Sequence, residues 1–383
     1  MRLSFRSIVK IGSFADAVVK ILALAAMLFS VAVLVNVLQP GDANKQQIGA
    51  DDATPPHPTG YTPDLEGTRQ FLRSLPAPLI RDAGPDLFRD GADNRPILLY
   101  RALNTAHLDR FATPFVVKKQ GIGDCVSWGW AHAIDIHSAV LWRLGLSDRW
   151  EPVATEAIYG GSRVEANGGR LGGYSDGSYG AAAAKFVSQF GVVFRRKYDA
   201  VDLTTYSAAR AKDWGNYGCG GRDDKGRLDD VCKSHPVKSV ALVATFKEAA
   251  SAIRAGYPVP VCSAQGFRST RDKDGFAAPS GKWLHCMCFI AVRFDRPGLL
   301  CLNSWGPDWI KGDKWPDDQP DGSFWVDAAT VDKMLAGRDS FAVSGFIGFP
   351  FRNLNHAAWA TNLDIRPLQL LPGRSETHFA QVP

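Results

Sequence analysis

Residues 119–142 read KQGIGDCVSWGWAHAIDIHSAVLW, from Lys119-Gln120-Gly121-Ile122-Gly123-Asp124-Cys125 into Val126-Ser127-Trp128 and on to Trp142. The glycine-containing loop ends at Asp124, an N-cap residue type, and the segment from Cys125 to about Trp142 is apolar nearly all round. A helix of that pattern is central and buried. Two further helices are expected, over Ala181–Phe190 with Gly191 as its C-terminal stop and over the amphipathic stretch Phe246–Ala255 before Gly256. Beyond Gly256 the pattern changes to short apolar runs between turn residues: Val259–Ser263, Cys286–Phe294, Leu299–Asn303, Ser323–Val326 and Ala342–Phe349. Helices first and strands later make an α+β domain, not an alternating parallel sheet.

Within this frame three short motifs carry chemistry. Cys125 opens the buried helix, where unsatisfied backbone N–H groups favour a thiolate and can hold an oxyanion. Gln120, five residues earlier, offers a second donor from its side-chain amide. His285 enters an apolar strand in Trp283-Leu284-His285-Cys286-Met287-Cys288. Asn303 ends the next strand in Leu302-Asn303-Ser304-Trp305-Gly306, where its amide oxygen can orient an imidazole and the Trp305 indole can shield that bond from water.

These residues resemble the papain family of cysteine peptidases: a glutamine before a helix-opening cysteine, a distant histidine, then Asn-Ser-Trp-Gly. The separations are 285 − 125 = 160 and 303 − 285 = 18 residues. Between them Gly172-Gly173-Tyr174-Ser175-Asp176-Gly177-Ser178-Tyr179-Gly180 is similar to that family's glycine-rich cleft wall, which makes Gly177, Ser178 and Trp305 expected substrate-binding residues. The resemblance covers roughly residues 95–350. It implies a two-lobed fold, helical on the left and antiparallel-β on the right, with a cleft between. It also implies peptide hydrolysis by Cys125, His285, Asn303 and Gln120 through an acyl-thioester, with Cys125 and His285 resting as a thiolate–imidazolium pair and no cofactor or metal. The chain departs from the family in lacking the cysteine upstream of Cys125 and in placing Gln120 one residue nearer the nucleophile. No long helical propeptide is evident before the domain, and zymogen control of the usual kind is not expected. The rival readings are a Cys-His cell-wall amidopeptidase and a non-catalytic papain fold used for binding or structure.

Ile21–Leu38 is an eighteen-residue stretch without a charge, about 27 Å long as a helix. Arg2, Arg6, Lys10 and Lys20 precede it, and Asp42, Asp51 and Asp52 follow. That bias sets residues 1–39 as a cytoplasmic N-terminus and single-pass anchor with the catalytic domain outside. A cleaved signal peptide ending near Gly41-Asp42-Ala43 and a buried core helix are the alternatives. Residues 40–94 are expected to be a proline-containing tether and irregular wrap, 95–350 the catalytic domain, and 351–383 a tail.

The 383 residues carry 44 Lys and Arg against 39 Asp and Glu, a net +5 with interspersed signs, which gives no reason to expect nucleic acid as a partner. The expected partners are a polypeptide substrate and, through the N-terminal segment, a membrane. The hydrophobic fraction of 45% excludes a disordered chain. Seven cysteines leave at least one thiol unpaired within the monomer. Cys219 and Cys232 bracket a polar loop and are expected to form a local disulfide; as a metal site with His235 they lack a fourth ligand. Cys262, Cys286, Cys288 and Cys301 fall in the strands as buried small residues, with a cross-strand bond involving Cys262 left open. Trp128 and Trp130 are expected in the core.

Overall fold

The computed structural model describes residues 57–88, 94–167, 171, 175–199, 201–222 and 228–354. The expected anchor at Ile21–Leu38, the tail beyond Leu354 and Gly172-Gly173-Tyr174 lie outside the described residues. Among those described, no helix is long and apolar enough to cross a membrane.

In chain order the helices are α1 (Leu65–Ser74), α2 (Ile80–Ala83), α3 (Tyr100–Phe111), α4 (Cys125–Arg143), α5 (Thr155–Arg163), α6 (Gly180–Gln189), α7 (Ala208–Tyr217), α8 (Asp229–Lys233), α9 (Phe246–Arg254) and α10 (Ala328–Leu335). The strands are β1 (Ile97–Leu98), β2 (Lys197–Tyr198), β3 (Val201–Asp202), β4 (Ser239–Leu242), β5 (Val259–Arg271), β6 (Ala277–Arg293), β7 (Gly298–Leu302), β8 (Ser323–Asp327) and β9 (Phe341–Ser344). The class is α+β, as expected.

The main sheet is antiparallel. β6 pairs β7 on one edge and β5 on the other, β1 continues the β5 edge, and β8 closes the far side. Its inner residues, from Cys286 to Val292 and from Leu299 to Leu302, are wholly buried. α4 lies against β6. Gly129 makes that approach feasible, since a Cβ there would sit 2.7 Å from Met287 O and 2.9 Å from Cys286 Sγ. Trp130, Ala133, Ile136 and Val140 bury the rest of α4 in the core, and Trp128 is 4% exposed. The expected helix boundaries hold within one or two residues.

Three expectations need correction. Residues 65–74 are a helix, not irregular chain. Asp64 Oδ1 caps it by accepting the Gly67 N–H at 2.9 Å, and it seats Phe71 in the core. Asp124 occupies the N-cap position of α4 without capping it, because its carboxylate turns to the Tyr206 hydroxyl at 2.9 Å. Cys219 and Cys232 do meet, with sulfurs 3.7 Å apart, as free thiols. Among the described residues no three His, Cys, Asp or Glu side chains cluster as metal ligands.

Candidate active site

Cys125 is the first residue of α4, so its thiol sits where that helix leaves N–H groups unpaired. His285 lies on β6, opposite Ser263 of β5, and Asn303 follows the last residue of β7. The pairing of β6 with β7 brings the two together: His285 Nε2 donates to Asn303 Oδ1 at 2.7 Å. The same oxygen accepts the Ser304 N–H at 2.7 Å, which fixes the amide's orientation and makes Nε2 the protonated ring nitrogen. Nδ1 is left with its lone pair and no partner. The Trp305 ring lies 4.6 Å from the imidazole, centroid to centroid, and covers it. Across from it, the Cys286 N–H points at Cys125 Sγ at 3.4 Å. Sulfur, imidazole and carboxamide thus come from a helix terminus and two neighbouring strands, as the motifs implied.

Gln120 is held from the sheet side. Its own N–H donates to Ser304 O at 2.8 Å and its Oε1 accepts the Ser304 hydroxyl at 2.5 Å. That leaves Nε2 to donate to Ile122 O at 2.9 Å and to Pro58 O at 3.0 Å. Ser304 sits inside the motif that carries Asn303, so the sequence held a signal for its role. Tyr206 and Asp176 carried none. Tyr206 accepts the Gly121 N–H at 3.1 Å and bonds Asp124, and Asp176 accepts the Gly123 N–H at 3.2 Å. Together they tie down the loop before the thiol.

The face beside the thiol is covered by the chain itself. Residues 57–62, His57-Pro58-Thr59-Gly60-Tyr61-Thr62, run across it as a strap. Pro58 O takes the Gln120 amide and the Trp305 indole N–H, the latter at 3.0 Å. Tyr61 N donates to Leu284 O at 3.1 Å, the residue before His285. Ser178 N donates to Gly60 O at 2.9 Å and Thr62 N to Ser178 O at 2.8 Å. Gly177, at φ +121°, faces Thr62 so closely that a Cβ would meet its Cγ2 at 2.7 Å. The three residues expected to bind substrate, Gly177, Ser178 and Trp305, all touch the strap, as does Gln120. These contacts come from a short extended segment, not from a long helical propeptide. A cavity of about 940 Å³ lies instead on the helical side, among His107, Trp128, His132 and Arg195.

Burial sets the direction of the shifts at the site. Cys125, His285 and Asn303 are 0% exposed. Desolvation pushes the Cys125 thiol well up, against the lowering effect of the Cys286 and Gly60 backbone N–H groups. Desolvation also pushes His285 down to about 4, although its bond to Asn303 works the other way. Both shifts run toward the neutral thiol and the neutral imidazole and against the expected thiolate–imidazolium pair, because desolvation penalises each charge.

The same burial makes folding stability depend on pH. Desolvation raises Asp124 and Asp135 to about 8 and Asp339 to about 7, and lowers His107, His132, His137 and His285 to about 4. Between pH ~4.5 and ~6.5 the folded chain keeps three carboxyl protons that the unfolded chain has released, while the unfolded chain holds four imidazole protons that the folded chain refuses. The net slope is one proton, so stability rises with pH over that interval. Above ~6.5 only the carboxyl contribution survives, and stability falls as pH rises through the raised carboxyl values. Urea unfolding should show a maximum near pH ~6.5 and a loss on the order of 2 kcal/mol by pH 8. A free energy rising over that upper interval would contradict it.

No protein-family model and no curated protein matches the chain. Among solved structures, xylellain, a cysteine protease from Xylella fastidiosa, is similar over 75% of this chain and 91% of its own, at 16% identity and a TM-score of 0.44. Procathepsin B S9 from Trypanosoma congolense matches 75% of this chain and 86% of its own at 10% identity and TM-score 0.44. Procathepsin L 3 of Tenebrio molitor larval midgut matches 72% and 79% at 11% identity and TM-score 0.42.

Proposed function

We propose that the chain is a cysteine-type peptidase whose groove is covered, in the state described, by its own residues 57–62. The observation that carries this reading is the His285 Nε2–Asn303 Oδ1 bond of 2.7 Å, which leaves Nδ1 bare as a base on the strand whose next N–H rests on Cys125 Sγ. With the strap withdrawn, water and substrate reach the thiol and the desolvation that keeps both groups neutral is relieved. His285 Nδ1 then takes the thiol proton, and the sulfur attacks a peptide carbonyl. Gln120 Nε2, which already donates to a backbone carbonyl at 3.0 Å, and the N-terminal amides of α4 receive the oxyanion. The imidazolium protonates the departing amine, and the acyl-thioester is hydrolysed by water with His285 as base.

The complete burial of Cys125 favours a second reading, a binding or structural protein with an inert thiol. Casein hydrolysis by a chain whose strap has been displaced separates the two. Gln120→Ala should lower kcat about 100-fold with little change in KM, the loss typical of removing one oxyanion donor. No hydrolysis by any strap-displaced chain would leave the non-catalytic reading.

A further inference from the structure

Cys262 and Cys286 face each other across β5 and β6 as directly paired residues, their sulfurs 2.9 Å apart. The ladder fixes what kind of pair they form. Pro260, opposite Cys288, has no N–H to exchange, and narrow and wide pairs alternate along antiparallel strands, so Cys262↔Cys286 falls in the narrow, non-hydrogen-bonded class. Both N–H groups agree, because neither points across the ladder: Cys262 N donates to Ser340 Oγ at 3.2 Å and Cys286 N to Cys125 Sγ at 3.4 Å. Narrow pairs hold their Cα atoms about 4.5 Å apart, inside the range of about 4.4–6.8 Å that a disulfide spans.

We propose that Cys262 and Cys286 are a disulfide-forming pair, and that the bond pins the strand carrying His285 beside the nucleophile. A low-molecular-weight disulfide such as oxidised glutathione is the oxidant. One cysteine thiolate attacks it, forming a mixed disulfide and releasing one small thiol. The second cysteine thiolate then attacks the mixed disulfide and releases the other. The two cysteines lose two protons and two electrons, and the reagent becomes two thiols. Because both thiols are walled in once folded, the exchange belongs to the folding chain, before β5 and β6 close.

The position of the bond gives it a consequence. His285 pairs with Ser263 one rung beyond the two cysteines, and the register of β5 against β6 shifts immediately after that rung. Beyond it the ladder is bulged through Gln265 and Phe267, so the regular pairing that positions His285 ends there. A covalent link one rung away fixes His285 from the ordered side. Cys286 Sγ also lies against Gly129 of α4, one turn along from Cys125, so the linked rung abuts the nucleophile's helix.

The test is peptide mapping of the full chain refolded with reduced and oxidised glutathione, denatured without reductant, blocked with iodoacetamide and digested. The expected result is a linked pair of peptides containing Cys262 and Cys286, two hydrogen masses below their sum, with Cys125 carbamidomethylated. Reduction should lower the thermal midpoint by about 5 °C, a shift that Cys262→Ser abolishes while lowering the starting midpoint. Carbamidomethyl groups on both Cys262 and Cys286, or a crosslink from either to another cysteine, would overturn the assignment. The mapping does not depend on peptidase activity.

Discussion

Gly60→Ala is expected to speed alkylation of Cys125 by roughly 10- to 100-fold without a matching loss of thermal stability. A Cβ at residue 60 would lie 1.8 Å from Gly123 O and 2.3 Å from its carbonyl carbon, overlaps that no side-chain rotation relieves because both partners are backbone. Overpacking of this kind costs about 1–3 kcal/mol. The cost falls on the covered state alone, since a strap lifted from the groove no longer meets the loop before the thiol. Each 1.4 kcal/mol moves the covered–open equilibrium about tenfold, and the alkylation rate follows the open population. Iodoacetamide labelling of Cys125, quantified by mass spectrometry over time, reads it directly. An unchanged rate at an unchanged thermal midpoint would mean that something other than residues 57–62 shields the sulfur.

The strap also marks where the sequence stops being informative. α4 is legible because a nearly all-apolar run behind a glycine loop has few ways to fold except as a buried helix. Asn303 and His285 are legible because each sits in a short apolar run whose pairing places both near the helix end. The long polar halves of β5 and β6 are not, since residues 264–284 show no clean alternation. They become strands through pairing with each other across the Asp272–Gly275 turn, where Gly275 N donates to Asp272 O at 3.0 Å. α1 is missed for a related reason: Leu65, Thr68, Phe71 and Leu72 do recur at helical spacing, but the helix is only ten residues long, with Gly67 inside it. The strap has no period at all. It is held by backbone groups of Pro58, Gly60, Tyr61 and Thr62, and backbone hydrogen bonding leaves little trace in side-chain pattern. The shifts of Cys125 and His285 toward their neutral forms are illegible for the same kind of reason, because burial is set by chain packed from elsewhere in the fold.

Cys125→Ala, made in the Gly60→Ala chain so that the groove is open, is expected to remove casein hydrolysis by a factor on the order of 10⁴ or more, while circular dichroism and the thermal midpoint stay near those of the parent. Among the described residues, the Cys125 thiol is the nucleophile placed at the N-terminus of α4. His285 Nδ1 can supply a base and Gln120 an oxyanion donor, but neither can accept the acyl group without the sulfur between them. The substitution is mild for the fold. It removes one sulfur and leaves no carbonyl or N–H newly buried without a partner, apart from the Cys286 N–H and the residue-60 N–H that pointed at it. Asn303→Ala should behave differently, lowering turnover less while shifting the pH dependence of kcat/KM, because it frees the ring that Oδ1 holds at 2.7 Å without taking away the nucleophile. If the Cys125→Ala, Gly60→Ala chain turned over casein at the rate of its parent, hydrolysis would have to come from another centre, and the thiol would be a packing residue beneath the strap.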